Sequence, residues 1–173
     1  MESLFMASAL AIGITGAFAD IRTRRIPNAL TYTGMIAGIA VHTVMQGWSG
    51  LASALLGGLI AGGIFLVFFL LRVMGGGDLK LMTAIGCFAG PQNSLRAVLA
   101  TAIAGGVIAI GYAIFRGRLR KMFSNMGDLI RFHAVAGAAV HPTLNLSNPE
   151  AMRFPYGTAI AAGALYSFLA TIA

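Results

Sequence analysis

Six apolar runs, separated by short breaks, constrain this chain more than any other feature of its sequence. In order, they span residues 3–19, 29–46, 51–71, 79–89, 95–115 and 154–172. Most of them approach the roughly 20 residues that a helix needs to cross a bilayer. Only 10% of the 173 residues are charged, against about 25% in soluble domains, and the mean hydropathy is +0.84. We therefore predict an all-α polytopic membrane protein with six transmembrane helices, forming a single domain over residues 1–173.

The basic residues predict the orientation of these helices. With the N-terminus outside, three segments face the cytoplasm: the loop after the first helix, the glycine segment before the fourth, and the long stretch before the sixth. They carry eleven of the twelve lysines and arginines, and only Arg96 is left outside. By the positive-inside rule, both termini lie outside. This explains the net charge of +7 without nucleic acid as a partner. The first run follows Glu2 rather than a basic region, which favours a retained helix over a cleaved signal peptide.

A long polar stretch, residues 116–153, lies between the fifth and sixth runs. In its first part, apolar side chains at helical spacing alternate with basic and polar ones. The apolar positions are Leu119, Met122, Phe123, Met126, Leu129 and Ile130, and the opposite side carries Arg118, Arg120, Lys121, Asn125, Asp128 and Arg131. This pattern predicts an amphipathic helix that lies on anionic lipid at the cytoplasmic face. Residues 142–149 are predicted to form a loop.

Two aspartates are the candidates for chemistry. The predicted topology places Asp20 and Asp78 on the same, cytoplasmic, side at similar depth, and this placement follows from the basic residues alone. Two carboxylates that share a site cannot both ionise easily. The charged one can take a proton from a water molecule that attacks a carbonyl, while the protonated one polarises that carbonyl. The glycines at 75–77 would leave an unhindered backbone beside Asp78 that accepts an extended peptide.

The local setting of each acid suggests a role. Asp20 is expected to open a charged loop that ends at Pro27, and Asp78 to precede a short helix that begins at Leu79. The helix dipole then favours Asp78 as the resting base and Asp20 as the proton donor. Residue chemistry alone leaves a structural interpretation open, in which Asp78 is only a helix N-cap and Asp20 a surface charge paired with arginines.

Other chemistry finds less support in the sequence. The single cysteine, Cys87, excludes an internal disulfide and a multi-cysteine zinc site. The histidines show no metal-ligand spacing, so we expect neither a metal nor a cofactor. Lys80 is interpreted as an interfacial anchor or, alternatively, as a residue that helps to place the substrate or an acid.

Three motifs in this chain resemble those of the type IV prepilin peptidases, which are GxGD-type intramembrane aspartic proteases. They are Asp20 followed by Arg25-Ile26-Pro27-Asn28, then Gly75-Gly76-Gly77-Asp78-Leu79-Lys80-Leu81, and Pro155-Tyr156-Gly157. The resemblance implies cleavage of a short basic leader from prepilins and pilin-like proteins at the cytoplasmic face of the inner membrane. It implies that Asp20 and Asp78 are catalytic. The residues expected to shape the site are Gly75, Gly76, Gly77, Lys80, Pro27, Asn28, Pro155, Tyr156 and Gly157.

The small size is similar to the tight-adherence (Flp-type) pilus branch of that family, which has only the peptidase part. Larger members carry an added cytoplasmic domain with paired cysteines, linked to N-methylation, and no methyltransferase activity is expected here. Two alternatives remain open: an archaeal-type preflagellin peptidase, and a non-catalytic membrane scaffold or small transporter. The motifs leave the oligomeric state undetermined.

Overall fold

All regular elements of the protein are α-helices in the computed structural model, which describes residues 1–137, 139–144 and 155–173. The predicted all-α fold is confirmed for these residues. The predicted start of the sixth run at residue 154 and most of the predicted loop at 142–149 lie outside them. The helices are α1 (Glu2–Thr23), α2 (Asn28–Leu70), α3 (Gly76–Phe115), α4 (Leu119–Ala136) and α5 (Gly157–Ile172).

Helix α2 folds back on itself at Gly47, where φ is 64° and ψ is −141°. A Cβ added to Gly38 would lie 3.0 Å from the Cys87 Cβ, and one added to Gly58 would lie 2.6 Å from the Cys87 Sγ. A straight helix would separate Gly38 from Gly58 by about 30 Å, so the two halves of α2 must lie side by side. Gly47 permits this turn because residues with a Cβ rarely adopt such a positive φ.

Helix α3 turns in the same way at Gly90, where φ is 70° and ψ is 176°. The Ser94 hydroxyl donates a hydrogen bond to the Gly86 carbonyl at 3.3 Å. A straight helix would separate these two residues by about 12 Å along its axis, so the axis must turn between them. Pro91 begins the second half of α3, in the first turn, where its missing N–H is not needed.

Among the residues that the structure describes, three helices, α1 to α3, are long and apolar enough to cross a membrane by length and composition. Helix α5 is also apolar but shorter, with 16 residues. The turns at Gly47 and Gly90 divide α2 and α3 close to the breaks between the apolar runs. The helical segments therefore follow the runs, while the count of six spans and the orientation stay predictions.

Two helix boundaries differ from the predicted ones, and both concern the acids. Helix α1 continues to Thr23, so Asp20 lies in its last turn and not in the following loop. Helix α3 begins at Gly76, with Gly75 as the N-cap. The prediction of an extended glycine run before a helix that starts at Leu79 is therefore wrong. The helix begins early because Asp78, at the third helical position, accepts a hydrogen bond from the backbone of Gly75 and stabilises the first turn.

The core lies where α1, α3 and α5 meet the second half of α2. Its largest fully buried apolar side chains are Met6, Leu81, Met82, Ile85 and Ile160. Helices α2 and α3 approach each other closely at Gly57 and Gly86, where a Cβ added to either glycine would meet the backbone of the other helix. Such close approach of small residues is typical of helix packing in membranes.

Helix α4 lies apart from this core. None of its residues, all of which the structure describes, is buried. On its apolar side, the exposed fractions are 53% for Phe123, 49% for Met126 and 66% for Ile130. A helix therefore occupies the stretch in which an amphipathic one is predicted, and its placement on lipid stays a prediction.

Candidate active site

Asp20 and Asp78 line the same cavity, which has a volume of about 350 Å³. Its other lining residues are Arg25, Ile26, Pro27, Asn28 and Gly77. They come from the end of α1, the connection to α2, and the first turn of α3. Residues that are distant in the sequence thus meet in one concave site that could hold a peptide segment.

Asp78 is fixed by the first turn of its own helix. Its carboxylate accepts a hydrogen bond from the Gly75 backbone N–H, in the manner of the acidic residue of a capping box. A Cβ added to Gly75 would lie 3.1 Å from the Asp78 Oδ2. Gly75 therefore lets its backbone approach the carboxylate closely, and Gly77 lines the cavity beside it.

Asp20 is fixed by a different helix from the one that carries it. The backbone N–H of Gly157, the first residue of α5, donates a hydrogen bond to the Asp20 Oδ2 at 2.9 Å. Asp20 is only 8% exposed. A Cβ added to Gly157 would lie 3.0 Å from the Asp20 Cβ and 3.1 Å from its Oδ2. Glycine is thus the residue that allows α5 to begin directly on this carboxylate.

The two carboxylates are close enough to interact electrostatically. Each also lies at a helix N-terminus, Asp78 on α3 and Asp20 against α5, where the helix dipole favours negative charge. Asp20 thus lies between the C-terminal end of α1, which disfavours negative charge, and the N-terminus of α5, which favours it, so the assignment of base and proton donor stays a prediction. The arrangement brings two interacting carboxyl groups together beside one cavity.

Tyr156 lies just before α5 and packs into the same end of the molecule. Its ring centroid is 6.4 Å from that of Phe65, in an edge-on arrangement, and its hydroxyl lies against Gly105. Tyr156 is also close enough to Asp78 for the two side chains to interact electrostatically.

The remaining predicted site residues divide into two groups. Pro27 and Asn28 line the cavity. Gly76 instead packs towards Phe69, where an added Cβ would lie 3.3 Å from the ring. The Pro155 carbonyl accepts a hydrogen bond from the Thr158 hydroxyl at 2.7 Å, which places Pro155 at the start of α5.

Lys80 lies behind the cavity wall. Its Nζ donates a hydrogen bond to the Asn28 Oδ1 at 2.9 Å and lies 5.0 Å from the centre of the Tyr32 ring. Lys80 is half-buried and its ammonium contacts two residues of α2, while its role as an interfacial anchor or a placing residue stays a prediction.

Two cavity residues, Arg25 and Ile26, were not among the candidate site residues. Their position directly before Pro27 and Asn28, inside the quoted motif, was the signal that could have identified them. Ile26 packs on the glycine segment, since a Cβ added to Gly77 would lie 3.2 Å from the Ile26 Cβ. Within the part of the chain that the structure describes, no group of three or more histidine, cysteine, aspartate or glutamate residues could hold a metal ion.

A family model and two curated proteins, all of them leader peptidases, match this chain. The sequence model of the type IV leader peptidase family matches residues 5–110, more than half of the chain, and the match includes both acids. Two curated proteins of Burkholderia pseudomallei, from strains 1026b and K96243, are each named prepilin leader peptidase/N-methyltransferase. Each is 36% identical to this chain over 130 residues, which cover 69% of the chain and 40% of the relative. The chain thus spans about two fifths of the length of these relatives. No solved structure matches it.

Proposed function

Because the chain belongs to the type IV leader peptidase family, we propose that it is an aspartic endopeptidase that removes the short basic leader from prepilins and pilin-like proteins. The observation that carries this proposal is the shared cavity of Asp20 and Asp78. The names of the Burkholderia relatives support prepilins as the class of substrate.

The proposed mechanism uses the two carboxyl groups in complementary protonation states. The ionised carboxylate removes a proton from water as the water oxygen attacks the scissile carbonyl carbon, and the protonated carboxyl group gives its proton to the carbonyl oxygen. The tetrahedral intermediate then collapses. The C–N bond breaks, the oxygen returns a proton to one carboxylate, and the other carboxyl group protonates the leaving amine. The two acids end with one proton between them, as they began.

The proposal extends only to the peptidase part of the relatives' name. Methyl transfer in the larger members is associated with paired cysteines, and this sequence has Cys87 alone. Within this class of substrate we propose Flp-type prepilins, as the resemblance to the tight-adherence branch implies.

The proposed location is the inner membrane, with both termini outside and the cavity at the cytoplasmic face. The positive-inside distribution of the basic residues supports this orientation. The lining of the cavity agrees with it, since Arg25 belongs to the first of the three basic segments.

Helix α4 is proposed to lie on anionic lipid at that face. Only residues 116–118 separate it from α3, a candidate membrane span, so its start lies within about 14 Å of the end of that span. Its exposed apolar side and its basic side match the acyl and headgroup layers of an anionic leaflet.

The test of the proposed function is cleavage of a Flp-type prepilin in membranes that contain the wild type, Asp20→Asn or Asp78→Asn at equal expression. Both variants are expected to lose cleavage by at least about a hundredfold, since each removes one of the two proton-transfer groups. Asp128→Asn, which removes an exposed carboxylate on α4, is the matched control and should cleave normally. Retained cleavage in either site variant would remove that residue from the mechanism. Unimpaired pilus assembly by both variants would instead favour a non-catalytic scaffold.

A further inference from the structure

Lys80 connects the wall of the cavity to the helix that carries Asp78. Its ammonium donates to the Asn28 Oδ1 at 2.9 Å, and the Tyr32 ring lies one turn further along α2 with its centre 5.0 Å from the same nitrogen. Asn28 lines the cavity, whereas Lys80 reaches it through Asn28. The contact therefore ties the start of α2 to the first turns of α3.

The wall segment, residues 25–28, forms one side of the cavity. Arg25, Pro27 and Asn28 are exposed, and Ile26 is the partly buried member that packs against Gly77. The Thr23 hydroxyl donates to the Arg25 carbonyl at 2.9 Å, which holds the segment to the end of α1. On the α3 side, the segment is joined to the helix by the Ile26 contact with Gly77 and by the Lys80–Asn28 hydrogen bond.

We propose that Lys80 is a positioning residue: it holds the wall segment against α3 and so sets the width of the cavity that receives the substrate backbone. This inference rests on the proposed function, because it describes how the same site accepts its peptide. Lys80 acts through Asn28 and touches no reacting atom. A charged donor suits this role, since hydrogen bonds from an ammonium are stronger than neutral ones and the Tyr32 ring face attracts the same charge.

The first arm of the test measures cleavage kinetics for Lys80→Met, Asn28→Ala and the double variant. Each single change should lower kcat/KM by roughly tenfold, the effect of losing one hydrogen bond to a charged group. The double variant should be no worse than either single one, because both changes break the same contact. Lys80→Arg should retain most of the activity, since a guanidinium can donate to Asn28 and pack on Tyr32.

Additive effects in the double variant would overturn the proposal, because Lys80 would then act independently of Asn28. A much larger loss in Lys80→Met than in Asn28→Ala would do the same and would indicate direct contact with the substrate or with Asp78.

The second arm does not depend on cleavage. In a Cys87→Ala background, Ile26→Cys provides a single thiol in the wall segment, and its rate of labelling by a water-soluble maleimide is measured in membranes. Adding Lys80→Met should raise this rate about fivefold, since the segment opens more often once the hydrogen bond is lost. Lys121→Met, which changes an exposed lysine of α4, is the matched control and should leave the rate unchanged.

An unchanged labelling rate in Lys80→Met would overturn the proposal, whatever the kinetics show. If the wild type cleaves no prepilin, the proposed function fails by itself, and the labelling arm still decides whether Lys80 holds the wall segment.

Discussion

An alanine Cβ at Gly157 would be crowded, because it would lie 3.0 Å from the Asp20 Cβ and 3.2 Å from the Ala17 Cα. We expect Gly157→Ala to shift either α5 or the Asp20 carboxylate by a few tenths of an ångström. Since a displacement of about 1 Å in a catalytic site can cost roughly a hundredfold in rate, this smaller shift should lower cleavage by roughly tenfold. The measurement is the rate of leader removal in membranes at equal expression.

The control for this prediction is Gly106→Ala. Gly106 also lies within a helix, but a Cβ added there would meet no atom within 4 Å. Its cleavage rate should equal that of the wild type. Equal rates for Gly157→Ala and the wild type would show that the hydrogen bond from Gly157 does not position Asp20.

Helices α2 and α3 depend on contacts that leave no room between their backbones. A Cβ added to Gly57 would meet the Gly86 carbonyl oxygen and would lie 2.9 Å from the Gly90 Cα. Since neither helix can yield locally, Gly57→Ala should lower the free energy of unfolding by about 2 kcal/mol, as overpacked cores do. Thermal unfolding of the purified protein in detergent measures this change.

Gly63→Ala is the matched control on the same half of α2. Nothing lies within 4 Å of a Cβ added to Gly63, and alanine favours a helix over glycine by up to about 1 kcal/mol. The melting temperature should therefore stay the same or rise. A fall equal to that of Gly57→Ala would mean that the close approach of α2 and α3 is not what stabilises this pair.

The molecule as a whole is expected to lie with α4 at the membrane surface. The test uses the Phe123→Trp variant in a Trp48→Phe background, in nanodiscs that contain anionic lipid. Brominated acyl chains should quench its tryptophan fluorescence. Phe123 belongs to the apolar side of α4 and is 53% exposed in the protein, so we expect it to contact lipid. Replacing the anionic lipid with a neutral one should weaken this quenching.

Ser124→Trp serves as the control, because Ser124 directly follows Phe123 and lies on the polar side of α4. Its fluorescence should be quenched by aqueous acrylamide and not by brominated lipid. If aqueous acrylamide quenches Phe123→Trp equally well, α4 does not lie on the bilayer.

Hydropathy and glycine positions predicted much of the fold. The apolar runs correspond to helical segments, and the breaks near 47–50 and 90–91 fall where Gly47 and Gly90 reverse the chain. These features are local, so they can be recognised in a single sequence. The boundaries around the acids were wrong because side-chain hydrogen bonds and packing extended α1 and α3 beyond the apolar residues.

The geometry of the site depended on contacts that no spacing reveals. Motif resemblance brought Asp20, Asp78 and Gly157 together as candidates, but not the hydrogen bond from the Gly157 N–H to Asp20. That bond exists because α1 packs against α5, which is a property of the folded chain. The contact between Lys80 and Asn28 likewise joins residues on two helices that only tertiary packing brings together.

The hydrogen bond between Gly157 and Asp20 has a consequence for the order of biosynthesis. A ribosome makes Asp20 early and Gly157 late, so the carboxylate waits through most of translation without this backbone donor. The Asp20 carboxylate gains this donor only once α5 has packed beside α1. A nascent chain that stops before α5 therefore lacks the backbone group that holds this carboxylate in the finished protein.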